Sequence, residues 1–455
     1  MGLGWMGQVP RSGRRAEAST GGSSLAGAQL LVEKLIPEGN ALGRLADGRV
    51  VIAQGAVPGD RIELVRVSQQ KGLVRALEFR VTEPSSLRVT PRCPVVQDCG
   101  GCDWMMLSRE QQHSSKLGML CEALLRTGKI EIDPAAIEFF ADVAPGGYRS
   151  RVRLQVVDGR IGFHGRGSHV LVEPEQCAVS SGPLNAALTE LRGVARQRAG
   201  ALDAFASVEL REAPDGTRSA YFERRDPPRP TLPSELAELR RHFLVATSPE
   251  EAGSAETWQR FELTVDTYLL APPGCFTQVN WQVNRMLIAR VLGGARRRGV
   301  QSFLDAYAGC GNFALPLLAL GLPGVAVESN ALAILAAREA ARRQALPSDG
   351  FVCADSAAWA REQARQSRRF DLVLLDPPRA GVKQGLSELA ALAGEWLVMC
   401  SCNPVTLARD LRWLIDQGFR LDAVEAFDMF PETHHVETLA WLRAPPHGFG
   451  GLSAT

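Results

Sequence analysis

The pattern of hydrophobic and polar positions changes character along this chain of 455 residues. Residues 27–84 hold short apolar runs separated by turn residues such as Asp47-Gly48 and Pro58-Gly59-Asp60. Runs of this length and spacing predict antiparallel strands that close into a small β-barrel. From about residue 266, apolar runs alternate with Ala- and Leu-rich helical stretches, which is typical of a doubly wound, mainly parallel α/β sheet. The predicted strands of that sheet are 302–304, 324–327, 351–353, 372–375 and 396–400, followed by 421–430 and 437–443.

These changes predict five segments along the chain. They are a disordered leader at 1–26, the barrel at 27–86, a central mixed α+β domain at 87–265, the α/β domain at 266–446 and a tail at 447–455. The leader is rich in Gly, Ser and Arg and has no continuous apolar core. The sequence therefore indicates disorder there rather than a signal peptide.

Composition and charge restrict the functional class. Charged residues make up 22% of the chain and hydrophobic residues 45%, as in a soluble globular protein that buries a large core. A net charge of +1 gives no global attraction to nucleic acid or membrane, so any RNA-binding surface has to be a local patch. One candidate is the barrel region, because seven basic residues stand against three acidic ones from Arg61 to Arg92. Another is the strand at 148–153, where alternation places Arg149, Arg151 and Arg153 on one face.

The cysteines are best explained by metal binding and catalysis. No apolar run reaches membrane-spanning length, which favours a cytoplasmic protein, and there ten cysteines are not expected to form a disulfide framework. Cys93, Cys99 and Cys102 have five and two residues between them, and Cys177 follows far downstream. Four such thiols can close a tetrahedral site that zinc and a [4Fe–4S] cluster both accept, so spacing leaves the metal open. Cys121 is the competing fourth ligand, and we place it in the core.

A cofactor site is predicted where the first strand of the α/β domain ends. Gly309 and Gly311 allow a tight turn in which the backbone can approach a ligand. Glu328 ends the next strand, where a carboxylate can accept bonds from a ribose diol, and Asp355 follows the third strand near an adenine edge. The turn has no phosphate-binding lysine and no dinucleotide spacing. A nucleoside ligand without phosphates fits better, which indicates S-adenosylmethionine.

Two further strand ends carry candidate chemistry. Asp376-Pro377-Pro378 forms a rigid extended loop at the edge of the sheet, the usual place for a ligand. The run from Cys400 to Pro404 leads from an apolar strand into a helix. Backbone N–H groups and the positive helix end favour a thiolate, so we expect the pKa of Cys402 to be lowered. Cys400 still belongs to the strand and is expected to be the buried thiol.

These motifs together resemble the RNA (uracil-5-)-methyltransferase family of bacteria and archaea, and within it the type that modifies 23S rRNA. The resemblance covers about residues 27–445 and implies an RNA-binding TRAM domain of the OB-like barrel kind, then an iron–sulfur domain, then a Rossmann-like S-adenosylmethionine domain. It implies that the four cysteines bind a [4Fe–4S] cluster rather than zinc. It also assigns Cys402 as the nucleophile, Glu437 as the base, and as cofactor-binding residues Gln278, Tyr307, Asn312, Glu328, Asp355 and Asp376. One departure is Ala308, where the family often has Cys.

The resemblance implies a definite reaction. Cys402 adds to uracil C6, C5 then accepts the methyl group of S-adenosylmethionine, and Glu437 removes the C5 proton. The expected partner is 23S rRNA, with no membrane and no obligate protein partner, and the enzyme is expected to be a monomer. One alternative is the same chemistry on the T-loop uridine of tRNA. Less favoured are an amino-group methyltransferase, which would need no nucleophilic thiol, and a non-catalytic RNA-binding protein.

Overall fold

The protein is seen here as a computed structural model. It describes residues 6–8, 25–70, 72–142, 146–197, 200, 202–225, 239–240, 243–382 and 384–446. The described strands are β1 (Met6–Gln8), β2 (Gln29–Leu35), β3 (Asn40–Arg44), β4 (Val50–Gln54), β5 (Arg61–Gln70), β6 (Leu73–Glu83), β7 (Glu138–Phe140), β8 (Arg151–Val157), β9 (Arg160–His164), β10 (Leu171–Val172), β11 (Phe205–Glu212), β12 (Arg218–Arg224), β13 (Leu244–Ala246), β14 (Gln259–Glu262), β15 (Tyr268–Ala271), β16 (Phe303–Ala306), β17 (Gly324–Glu328), β18 (Phe351–Cys353), β19 (Phe370–Leu375), β20 (Ala393–Ser401), β21 (Arg420–Phe427) and β22 (Glu437–Arg443). The described α-helices are α1 (Arg109–Arg126), α2 (Gly182–Gln197), α3 (Pro249–Ala252), α4 (Trp281–Arg297), α5 (Ala314–Ala319), α6 (Ala331–Arg343), α7 (Ser356–Arg365), α8 (Leu386–Ala391) and α9 (Pro404–Asp416).

The chain folds into two compact units. Unit 1 comprises residues 1–119, 153–179 and 430–434, and unit 2 comprises the remainder. Within the predicted leader, β1 pairs with β6. Residues 1–5, 9–24 and the predicted tail at 447–455 lie outside the described residues.

Unit 1 contains the β-barrel that the alternating pattern predicts. Its strands run in the order β1-β6-β4-β3-β2-β5, and the additional pairing of β5 with β6 closes the barrel. Every second residue of β2, β3 and β4 points inward, and Val32, Val51 and Ile62 are buried in the barrel core. The predicted turn at Asp60 is held by that side chain, which accepts hydrogen bonds from Val57 N at 2.7 Å and from Arg88 Nε at 2.8 Å.

Unit 2 is built on an eight-stranded sheet in the order β18-β17-β16-β19-β20-β22-β21-β7. Strands β16 to β20 are parallel, and β22 runs antiparallel between β20 and β21. The prediction of a doubly wound, mainly parallel sheet is therefore confirmed. The strand order reverses between β16 and β19, and in such sheets ligands bind at the carboxyl ends of the strands beside this reversal.

Several helices of unit 2 begin at a residue whose side chain caps the first turn. Asn330, Asp355 and Asn403 each accept a hydrogen bond from a backbone N–H in the first turn of the following helix. These caps set where each strand-to-helix loop ends, and therefore which side chains lie at the edge of the sheet. Among the described residues, no helix combines the length and the apolar character needed to span a membrane.

Candidate active site

The glycine turn after β16 leaves room for a ligand. Tyr307, Gly309 and Gly311 have positive φ angles of 66°, 53° and 90°, so the backbone folds back sharply. A Cβ placed on Gly309 would meet nothing within 4 Å, whereas one on Gly311 would lie 3.0 Å from the Leu315 side chain. Gly309 therefore exposes its backbone to open space, and Gly311 is needed for packing.

Glu328 is fixed against this turn. Its carboxylate accepts hydrogen bonds from Gly309 N at 3.2 Å, Ser329 Oγ at 3.1 Å and Asn330 N at 2.8 Å. Three donors hold the group in one orientation beside the open space at Gly309. A carboxylate in that position can accept hydrogen bonds from a ribose diol, as the sequence predicts.

The other predicted cofactor residues have more varied surroundings. The amides of Asn312 and Asn284 bond each other reciprocally at 2.9 and 3.1 Å. Asp355 is exposed and caps α7, accepting from Ala358 N at 2.8 Å. Burial raises the pKa of Tyr307, with a smaller contribution from the nearby Asp355 carboxylate. The structure thus brings Tyr307 and Asp355 close to each other, and Gln278 is buried in the same unit.

Helix α9 holds the proline loop that follows β19. Arg379 O accepts from Asn403 Nδ2 and from Thr406 Oγ1, both at 3.4 Å. Asp410 accepts from Val382 N at 3.0 Å. Sequence reasoning missed Asp410, although an acidic residue on the apolar face of a helix is a signal that could have identified it.

The candidate nucleophile lies beside two carboxyl groups and a second thiol. Asp376 directly follows β19, Cys400 and Cys402 lie at the end of β20, and Glu437 begins β22. In the sheet register, Leu375 pairs with Met399 and Ser401 pairs with Thr438, so these three strand ends are adjacent. Cys400 Sγ, one carboxyl oxygen of Asp376 and one carboxyl oxygen of Glu437 all lie within 4.8 Å of one another.

Burial makes the carboxyl groups of Asp376 and Glu437 weaker acids than exposed carboxyl groups. It raises the pKa of Asp376 to about 7 and that of Glu437 to about 8, and the charge of Asp376 adds to the rise at Glu437. Deeper in the site, burial and then Asp376 raise the pKa of Asp305 well above its usual range. Neither carboxyl oxygen of Asp305 has a hydrogen-bond partner within the described residues. Burial therefore disfavours the ionised form of Asp305, a property that its sequence motif does not signal.

The expected lowering of the Cys402 pKa is wrong. Burial, followed by the charges of Glu437 and Asp376, raises the pKa of Cys402 to about 12. Arg379 and the backbone at the start of α9 act in the predicted direction but are weaker. Cys402 is thus a protonated thiol at neutral pH when no substrate is bound. The predicted burial of Cys400 is correct, because this side chain is fully inaccessible to solvent.

Unit 1 brings the predicted metal ligands together. Cys93, Cys99, Cys102 and Cys177 are all partly buried. Burial raises the pKa of both Cys93 and Cys99, and the nearby Cys177 adds a smaller contribution in the same direction. Arg166 Nη2 fixes the loop between them by donating to Val96 O at 2.9 Å and to Cys102 O at 2.5 Å. The residue set fits a four-thiolate centre. The competing candidate Cys121 belongs to unit 2 and is only partly buried, so its predicted place in the core is wrong.

Residues 430–434 are anchored inside unit 1. The Glu432 carboxylate accepts from Gln112 Nε2 at 2.9 Å and from Arg92 Nη2 at 3.0 Å. His434 Nδ1 lies 2.5 Å from Asp103 Oδ2. These contacts hold the segment that precedes the candidate base Glu437 in the chain, which agrees with a structural role for His434.

In the predicted basic surface on the strand at 148–153, Arg151 already contacts other side chains of the protein, which a row of phosphate-binding arginines would not do. Arg151 lies 3.6 Å from the Glu209 carboxylate, and its guanidinium carbon is 4.7 Å from the centroid of the exposed Phe276 ring. Arg149 and Arg151 belong to unit 2, whereas Arg153 belongs to unit 1. A role of these arginines in phosphate binding stays a prediction.

Fold and site together define an α/β enzyme of the methyltransferase class, with a thiol and two buried carboxyl groups beside a glycine turn. The model of the tRNA (Uracil-5-)-methyltransferase family matches residues 360–444. The 23S rRNA (uracil(1939)-C(5))-methyltransferases RlmD of Acidithiobacillus ferrooxidans and Pectobacterium atrosepticum are each 32% identical to this chain. The first match covers 90% of this chain and 96% of the relative, and the second covers 90% and 92%. This chain belongs to the RNA (uracil-5-)-methyltransferase family.

A solved structure is also similar over nearly the whole chain. It is the tRNA (uracil-54, C5)-methyltransferase of Pyrococcus abyssi in complex with S-adenosyl-L-homocysteine, with a TM-score of 0.70 and 25% sequence identity. The match covers 92% of this chain and 100% of that one. The similarity confirms the predicted fold class.

Proposed function

We propose that this protein transfers a methyl group from S-adenosylmethionine to C5 of one uridine in 23S rRNA. The convergence of Cys402, Asp376 and Glu437 on three neighbouring strand ends is the observation that carries this proposal. The relatives named for 23S rRNA, which match about nine-tenths of the chain, favour that substrate over tRNA.

Cys402 would make C5 of uracil nucleophilic. Its sulfur adds to C6, which places electron density on C5 and O4, and C5 then attacks the sulfonium methyl group. Since the Cys402 thiol has a raised pKa in the free protein, its proton has to pass to an acceptor as the sulfur attacks. The neighbouring Asp376 carboxylate, whose pKa is about 7, would accept it and return it when Cys402 is released. A protonated resting thiol is less reactive toward oxidants, and it is activated only when the target base is in place.

Glu437 would remove the C5 proton after methyl transfer. The electron pair of the C5–H bond then re-forms the C5–C6 double bond, and the Cys402 thiolate leaves. A buried carboxylate whose pKa is about 8 is a stronger base than an exposed one, so proton transfer from carbon is easier. Asp376 would hold the edge of the uracil as well as the cofactor.

The methyl donor would lie over the glycine turn. Glu328 would accept from the ribose, with Tyr307 and Asp355 at the adenine end. Gln278, Asn312 and Asp376 would complete the contacts. The open space beside Gly309 and the triply bonded Glu328 carboxylate support this arrangement.

The four cysteines of unit 1 would bind a [4Fe–4S] cluster. Cys177 lies close enough to Cys93 and Cys99 for its charge to act on both thiols. A set of four such thiols is one that a [4Fe–4S] cluster accepts. The centre would stabilise the fold of this region or help to recognise RNA.

The remaining expectations follow from this function. The barrel at 27–86 would be a TRAM domain that binds RNA, followed by the iron–sulfur domain at 87–265 and the S-adenosylmethionine domain at 266–446. The enzyme would act as a monomer in the cytoplasm. To reach C5, the target uridine has to leave its stack, at a cost of a few kcal/mol, which is smallest in a loop.

A methylation assay tests the substrate. Purified protein with its cluster intact is given labelled S-adenosylmethionine with unmodified 23S rRNA and, separately, with unmodified tRNA, and 5-methyluridine is mapped by mass spectrometry. We expect a single methylated uridine in 23S rRNA. Label in tRNA alone would keep the chemistry and overturn the substrate, and no 5-methyluridine in either RNA would overturn the function.

A further inference from the structure

A second buried thiol lies two residues before the proposed nucleophile. Residues i and i+2 of a strand point to the same face, so Cys400 is on the side of β20 that leads to Cys402. Its strand is flanked by β19, which ends before Asp376, and by β22, which begins with Glu437. Cys400 is fully buried, so it cannot itself reach an RNA base.

The Cys400 thiol contacts the proposed base directly. Its Sγ donates a hydrogen bond to Glu437 Oε1 at 3.3 Å. Within the described part of the chain, this is the one hydrogen bond that the structure gives to the Glu437 carboxyl group. Burial, followed by the charges of Asp376 and Glu437, raises the pKa of Cys400 well above its usual range, which favours the protonated thiol that donates this bond.

The hydrogen bond from Cys400 opposes the two influences that disfavour the ionised form of Glu437. Burial and the charge of Asp376 raise the pKa of Glu437, whereas the hydrogen bond from Cys400 lowers it. The other titratable or charged groups of this corner are Cys402 after β20, Arg379 after β19 and Asp305 in β16. None of these three is hydrogen-bonded to Glu437 within the described residues. Cys400 is thus the one of these neighbours that hydrogen-bonds the Glu437 carboxylate and stabilises its charge. The same thiol also lowers the pKa of Asp376 through a hydrogen bond.

We propose that Cys400 is a positioning residue for the methyl-transfer cycle, and that its thiol holds the Glu437 carboxylate in the orientation that removes the C5 proton. This inference rests on the proposed function, in which Glu437 is the base. It predicts a defect confined to the steps after methyl transfer. Addition of Cys402 and transfer of the methyl group do not need the base, so they proceed at their normal rate.

Two substitutions separate the hydrogen bond from packing. Cys400→Val keeps approximately the volume of the side chain and removes the donor, whereas Cys400→Ser keeps a donor. Cys121→Val is the matched control, because that thiol lies outside the site. Glu437→Gln calibrates the loss of the base. Each variant is tested as the full chain with its cluster intact, on 23S rRNA transcribed with uridine tritiated at C5.

Three quantities are measured from pH 6 to pH 10: the first-turnover burst of S-adenosylhomocysteine, the release of tritium, and the protein–RNA adduct that survives denaturing electrophoresis. For Cys400→Val we expect an unchanged burst, tritium release slowed about tenfold, and accumulated adduct. We also expect the pH midpoint of tritium release to move upward, because an ionised carboxylate without its donor binds a proton more tightly. Cys400→Ser and Cys121→Val should behave like the unsubstituted protein.

Defined outcomes would overturn the inference. If Cys400→Val releases tritium normally with an unmoved midpoint while Glu437→Gln accumulates adduct, Cys400 only packs and the proposed function stands. If Cys400→Ser is as slow as Cys400→Val, the donor is not what matters. If Glu437→Gln neither slows tritium release nor accumulates adduct, the base is misassigned, and the inference fails together with that part of the proposed function.

Discussion

The two groups of cysteines in this protein differ in what surrounds them. In unit 1, burial raises the pKa of Cys93 and Cys99, but backbone N–H groups and the guanidinium groups of Arg92 and Arg166 act in the opposite direction. In unit 2, Cys402 has the carboxyl groups of Asp376 and Glu437 as neighbours, and these add to the effect of burial. Donors and cations suit thiolates that bind a metal, whereas carboxyl groups keep a thiol protonated. The environment, rather than the residue type, therefore separates the proposed metal ligands from the proposed nucleophile.

The largest expected effect tests the nucleophile. Cys402→Ala should reduce methylation by a factor on the order of 10⁴, because alanine has no sulfur to add to C6 and the neighbouring Cys400 thiol is buried. Binding of S-adenosylmethionine, followed by calorimetry, should be retained, and so should the iron content. If the Cys402→Ala variant methylates RNA at the rate of the unsubstituted protein, Cys402 is not the nucleophile. The comparison between the two groups of cysteines would then no longer be one of metal ligands with a nucleophile.

The next effect concerns the ligands of unit 1. Cys99→Ser should lower the iron content from about four atoms per chain and abolish the visible absorption of the cluster. It should also lower the midpoint of thermal unfolding, because metal binding contributes to folding. Cys121→Ser is the control variant, and its iron content per chain should equal that of the unsubstituted protein. A Cys99→Ser protein with full iron content would mean that this cysteine is not a ligand.

A smaller effect is expected at the cofactor turn. Glu328→Gln keeps the shape of the side chain but loses the charge that can accept strong bonds from a ribose. The dissociation constant for S-adenosylmethionine should rise about tenfold. The neighbouring Ser329→Ala is the control, since Gly309 N and Asn330 N still hold Glu328 in that variant. Equal affinity for the Glu328→Gln and unsubstituted proteins would place the ribose elsewhere.

The smallest effect is on stability as a function of pH. The pKa of Glu437 is about 8 in the folded protein and about 4.5 in the unfolded chain. Between these values the folded state binds more protons, so stability falls as pH rises from about 4.5 to about 8. Glu437→Gln removes this loss, so its unfolding midpoint in urea should exceed that of the unsubstituted protein by more at pH 8.5 than at pH 5. A difference independent of pH would indicate that Glu437 ionises normally and would weaken the contrast between the two thiol environments.

Sequence reasoning succeeded where the signal is local. Alternation over 27–84 is enough to predict the barrel strands, because successive side chains point to opposite faces of a strand. Apolar runs between helical stretches predict strands at 302–304, 324–327 and 372–375; the first overlaps β16, and the other two lie within β17 and β19. The order of these strands and the pairing of β22 between β20 and β21 come from contacts between distant segments, which periodicity does not encode.

The residues that carry the candidate chemistry were visible in the sequence, because thiols, carboxyl groups and glycine turns at strand ends are local patterns that resemble a known family. Their protonation states were not. The pKa of Cys402 is raised because residues 376 and 437 meet it in space, and Cys400 contacts Glu437 although 37 residues separate them along the chain. Desolvation and charge–charge interactions depend on three-dimensional distance. The sequence therefore determined which groups are present, and only the tertiary structure decided which of them carry a proton.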